Sequence, residues 1–131
     1  MPLQRFPRDD SRYQWTHHVI DKMRYYGLSE GRVRRVLASP KRREEGIAPG
    51  TVAVMQSSGS KAHPYEVWVM YQVIKTKAEG QKLKVSEPFE KRIGPAVRKR
   101  IITTWRYPGV SKSRGPLPIP EEILQELDDL V

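Results

Sequence analysis

Apolar and polar positions alternate with a period of two along Arg98 to Tyr107, which predicts a strand. Ile101, Thr103, Trp105 and Tyr107 are expected on one side, with Ile102, Thr104 and Arg106 on the other. β-branched and aromatic residues fill this stretch, as a pleated and buried element requires. Tyr65 to Lys75 is the longest strand signal. It is apolar on both faces (Val67, Val69, Tyr71 and Val73 against Trp68, Met70 and Ile74), so it belongs in the centre of a sheet. Thr51 to Gln56 reads as a further strand, and Arg12 to Thr16 as a short one with Tyr13 and Trp15 on one face. Lys41 to Gly46 is a charged connection or an edge strand, and Pro49-Gly50 marks a turn.

Between the first two strands the period changes to that of a helix. Val19, Ile20, Met23 and Tyr26 recur at helical spacing after Thr16, a natural N-cap, and before Gly27, a natural C-terminal stop. Ser29 caps a second helix from Glu30 to Ala38, with Val33, Val36 and Leu37 as its stripe and Pro40 ending it. Residues 76–97 are less regular: Gln81 to Val85 is a candidate hairpin partner, and Pro88 and Gly94-Pro95 argue for a loop. Near the C-terminus, Pro120 fits the first turn of a helix whose apolar stripe is Ile123, Leu124, Leu127 and Leu130. The expected fold class is α+β. A short N-terminal strand and two helices pack on a three- to four-stranded antiparallel sheet, with one further helix at the C-terminus. The expected organisation is a flexible lead at 1–11, an α+β domain at 12–108, a linker at 109–119 and an acidic amphipathic helix at 120–131.

Composition sharpens the functional question. A chain of 131 residues fits one domain and buries enough surface to fold without staples. Cysteine is absent, which excludes disulfides and thiolate metal sites. No apolar run approaches the ~18 residues of a membrane span, so no membrane partner is expected. The first ten residues lack a secretion signal, and the expected location is cytoplasmic. Lys plus Arg number 24 against 15 acids, a formal +9. Five of those acids (Glu121, Glu122, Glu126, Asp128 and Asp129) lie in the last eleven residues, which contain no Lys or Arg. The remaining body therefore carries 24 bases against ten acids. That imbalance is the electrostatic footprint of a nucleic-acid binder. The alternative is a surface kept soluble by its charge.

Thr16-His17-His18, Met23, Gly27-Leu28-Ser29, Val33, Leu37 and Pro40 resemble the opening of a small domain-of-unknown-function family grouped with the BrnT, RelE and ParE toxins. That family opens with Thr-x-His, places Met five residues after the His, and carries Arg-Gly-Ile-Ser before its second helix. The resemblance spans roughly residues 12–107. Tyr26 stands where the family has Arg, and the extension after Gly109 lies outside the usual domain. The resemblance implies a RelE-like fold, RNA or the ribosome as partner, an antitoxin protein as a further partner, and in some members metal-free RNA cleavage. It carries His18 over from the opening motif, and Arg106 and Tyr107 by their position on the closing strand. Fold by itself does not fix function.

Metal-free cleavage needs a base for the 2′-OH, cations for the phosphorane charge and an acid for the leaving oxygen. His18 is the candidate base or acid, with Arg106 and Tyr107 completing the catalytic set. Arg98 and Arg100 are candidate phosphate clamps, and Trp105 is a candidate base-stacking platform. Arg34, Arg35 and Arg42, with Lys41 and Arg43, form either a second phosphate-contacting patch or a solvated helix end. Each candidate has a structural alternative: His18 as a hydrogen-bonded helix-start residue, Trp105 as core. His17 and His18 are adjacent and diverge on a helix, and His63 reads as a loop residue, so neither a metal nor any cofactor is expected. The acidic terminal helix either masks a basic groove or completes the core. The two function classes are an RNA-binding or ribosome-binding toxin-type protein, possessing ribonuclease chemistry or not, and a non-catalytic nucleic-acid-binding or protein-interaction module on the same fold.

Overall fold

In a computed structural model of the chain, residues 7–74, 98–112 and 115–130 are described. The elements are β1 (Tyr13–Trp15), α1 (His17–Tyr26), α2 (Glu30–Ala38), β2 (Arg42–Glu45), β3 (Thr51–Gly59), β4 (Pro64–Ile74), β5 (Arg98–Pro108) and α3 (Glu121–Leu130). The candidate hairpin partner at 81–85 falls outside the described residues.

Both N-terminal helices start and stop where their caps dictate. The Thr16 hydroxyl accepts from Val19 N at 3.1 Å and lies 2.8 Å from the Ile101 carbonyl, so one residue caps α1 and pins it to β5. Gly27 closes α1 at φ +68, the left-handed conformation that favours glycine, with Leu28 N donating to Met23 O. Ser29 caps α2 by accepting from Arg32 N.

The sheet has five strands in the order β1-β5-β4-β3-β2. β2 to β5 form an antiparallel run of four, and β1 adds a parallel edge by pairing Tyr13–Trp15 with Lys99–Ile101. The charged stretch after Pro40 is therefore the second edge strand. Tyr65–Ile74 lies in the middle of the sheet, as its two apolar faces require.

The strict alternation expected along β5 does not hold. Met70 pairs with Thr103 and Tyr71 with Ile101, so Ile102 is the extra residue of a β-bulge. One additional residue flips every later side chain to the other face. Ile101 thus joins the core under α1 and α2, whereas Ile102, Trp105 and Tyr107 face the opposite side.

That opposite side is also covered. Val19, Met23, Val33, Val36 and Leu37 of the first two helices pack on one face with Val54, Val67 and Val69. On the other, Ile123 and Leu127 of α3, with Leu117 and Ile119 before it, pack on Met55, Trp68, Met70, Ile102 and Trp105. The helices therefore occupy both faces of the sheet. The segment expected as a linker is tied down through Ser111, whose N and Oγ lie 3.0 and 2.7 Å from the carboxylate of the buried Glu66. Within the expected lead, Asp9 accepts from Trp15 N, and Asp10 from Arg12 N and Tyr13 N, each at 2.8 Å.

Candidate nucleic-acid interface

α1 packs against β5 beyond the point where β1 stops. His18, Lys22 and Tyr26, one turn apart, line the side of α1 that meets α3. His18 Nε2 lies 2.9 Å from Thr103 Oγ1, and its Nδ1 lies 3.7 Å from Glu126, which is itself 2.9 Å from Lys22 Nζ. Burial depresses the His18 pKa below its ordinary value, and Lys22 adds to this against the opposing pull of Glu126. Tyr26 is pushed the other way, by burial first and then by Glu122. Thr103, His18 and Glu126 follow the order of hydroxyl, base and orienting carboxylate found in nucleophilic triads. Thr103, however, is completely buried, and only a tenth of the His18 side chain is exposed. As folded, no substrate reaches this hydroxyl.

The other two catalytic candidates do not converge on His18. Arg106 is three residues past Thr103, which puts it on the opposite face and roughly 10 Å farther along the strand. Its guanidinium lies 4.5 Å from the centre of the Tyr65 ring and is exposed. Tyr107 is half-buried against the core under α3. Trp105 is fully buried, stacked on Trp68 at 5.8 Å with the rings 6° from parallel, and presents no face to a base.

Among the candidate phosphate contacts, two arginines are internal clasps. Arg34 binds Glu30 at 2.8 Å and Asp10 at 3.2 Å, and its guanidinium sits over Tyr13 and Trp15. Arg42 binds Glu44 at 2.6 Å and Ser111 at 2.8 Å, over the Trp68 ring. Arg35 is exposed on α2.

Arg98 and Arg100 differ in kind from these clasps, because their partners among the described residues are neutral. Arg98 Nε donates to the Asp10 carbonyl at 3.1 Å. Arg100 donates through Nε to Gln14 Oε1 at 2.9 Å and through a terminal nitrogen to Gln72 Oε1 at 3.2 Å. Lys99 between them points to the face that carries α1 and α2, with Nζ 4.7 Å from the centre of the Tyr71 ring. Its pKa is lowered, by burial first and then by the positive charges of Arg43 and Arg12. Arg98, Lys99 and Arg100, with Arg12 beside them through its carbonyl's bond to Lys99 N, form a cationic rim at one end of the sheet.

No family model matches the chain, nor does any curated protein or solved structure. Function must be argued from this geometry. Among the described residues no three His, Asp or Glu side chains come together as metal ligands, and no helix is long and apolar enough to cross a membrane. Sequence reasoning missed Lys99 and Arg12 as site residues, and placed Arg43 with the patch after α2. The available signal was period two, which sends Lys99 to the face opposite Arg98 and Arg100 and so splits one basic triplet between two sides.

Proposed function

We propose that this protein binds RNA, free or within the ribosome, through the cationic rim formed by Arg98, Lys99 and Arg100 with Arg12. The observation that carries the reading is how Arg100 is held. Two neutral amide oxygens, from Gln14 and Gln72, fix its guanidinium without cancelling its charge. Arg34 and Arg42, by contrast, are each paired with a carboxylate. A charge that is positioned but not neutralised is suited to an incoming phosphate. The order of strand, two helices and four antiparallel strands supports kinship with RelE- and BrnT-type proteins. The enclosure of His18 by Thr103 and Glu126 favours a binding module over a ribonuclease acting at that residue.

The test is fluorescence anisotropy with a short labelled single-stranded RNA over a salt series of about 50 to 200 mM. Log affinity should fall linearly with log salt. Lys99→Gln or Arg100→Gln should weaken binding and each flatten the slope by roughly 0.7. Salt-independent binding, or none, would overturn the reading.

A further inference from the structure

At the end of the sheet away from the rim, a cleft of about 570 Å³ opens beside Arg106. It lies between the β3–β4 turn, the end of β5 and the last turn of α1, and its walls include Tyr26, His63, Pro64, Tyr65 and Pro108. None of the described residues that line it is a carboxylate. Its volume falls within the range of small-molecule sites, roughly 300–1,000 Å³.

The walls are set by backbone. Gly109 N donates to the Pro64 carbonyl at 2.8 Å, which ties the end of β5 to the start of β4. Gly59 turns the chain at φ +83, where an added Cβ would lie 2.3 Å from the His63 carbonyl. His63 N donates to Ser60 Oγ at 3.1 Å, so the residue that flanks the cleft is fixed from behind.

Within this frame the Arg106 guanidinium sits over Tyr65, with its outer side exposed. The Tyr65 hydroxyl is made more acidic by Ser58, and after that by Arg106 itself. A guanidinium backed by a ring offers two things at once. Its outer plane stacks on an aromatic base, and its N–H edge reaches an adjoining phosphate.

We propose that this cleft receives one unpaired nucleobase, stacked on Arg106 in a Tyr65–Arg106–base sandwich. The inference rests on the RNA reading above and narrows it: the RNA is held as a single strand. A duplex buries the π-faces of its bases against one another and cannot fill such a slot. Lys99 and Arg106 are seven residues apart on β5, roughly 20 Å, and both lie toward the face that carries α1 and α2. One strand of several nucleotides would therefore place a phosphate on the rim and a base in the cleft.

The test uses the full chain at one salt concentration. Affinity for a single-stranded RNA is compared with affinity for the same strand annealed to its complement, in the wild type and in Arg106→Lys. The lysine keeps the charge and loses the planar stack. Arg106 is exposed, so the variant should fold, and circular dichroism checks this. The wild type should prefer the single strand, and Arg106→Lys should lose roughly tenfold on it while leaving the duplex value unchanged. A strand with abasic positions should bind the wild type as weakly as the intact strand binds the variant. Equal, salt-sensitive binding of both forms by the wild type would overturn the cleft and leave the rim standing. Absence of salt-sensitive binding to either form would overturn both.

Discussion

Arg34 and Arg42 each sit within hydrogen-bonding distance of a carboxylate, whereas Arg100 is held by two glutamine oxygens and Lys99 lies over the face of a tyrosine. The residue type is shared, and the partner decides what the charge is free to do. The same reasoning applies to His18. Its pKa is lowered because a buried imidazole loses more hydration on protonation than Glu126 returns at 3.7 Å. In the unfolded chain the group titrates near 6.5, so it then binds protons more readily than the folded form does. Its contribution to stability is full above that value and is lost as pH falls through the folded pKa. Denaturant melts at neutral pH and near pH 5 should show a drop that His18→Gln reduces. An imidazole resonance titrating above 6.5 would contradict this.

At the scale of elements, the C-terminal arm decides which residues are core. Ile123 is fully buried and Leu127 nearly so, both against the Trp68 and Trp105 pair. Leu127→Ala should cost about 2–5 kcal/mol in urea unfolding. Removing residues 110–131 should expose that apolar face and yield an aggregating chain, which size-exclusion chromatography would reveal; a soluble monomer with higher RNA affinity would instead make the arm a removable mask. Glu66 joins the arm to the sheet by accepting from Trp68 Nε1 and from Ser111, so Glu66→Ala should strand buried donors and loosen the arm. Its signature would be faster amide exchange around Ser111 than around Val69. This dependence on a distant segment explains what could be read from sequence. α1 and α2 were legible to the residue because Thr16, Gly27, Ser29 and Pro40 are local signals. The faces of β5 were not, because the bulge at Ile102 arises from pairing with β4. Trp105 and His18 read as site residues because nothing local reveals that α3 lies over them. Arg106 was legible as a site candidate, but the cleft beside it depends on Tyr65 and His63, which only the β3–β4 hairpin brings there.

At the scale of the whole molecule, apolar cores on both faces of the sheet leave its cations only the rim and the ends. Of the acids of α3, Glu126 lies against Lys22 and His18. The rim concentrates like charge, and Lys99 shows the cost. Buried, and repelled by the charges of Arg43 and Arg12, its ammonium is disfavoured in the folded state relative to the unfolded one. Groups kept for binding are often groups that folding alone would not choose. Lys99→Met retains the apolar cover on Tyr71 and removes the charge. It should leave the melting temperature unchanged or raised while weakening RNA binding. Replacing Arg98, Lys99 and Arg100 together by Gln should flatten the slope of log affinity against log salt by about 2, at roughly 0.7 per single-strand phosphate contact. A lower melting temperature for Lys99→Met with RNA affinity intact would reverse the assignment, making Lys99 a structural residue and the rim a solvated edge.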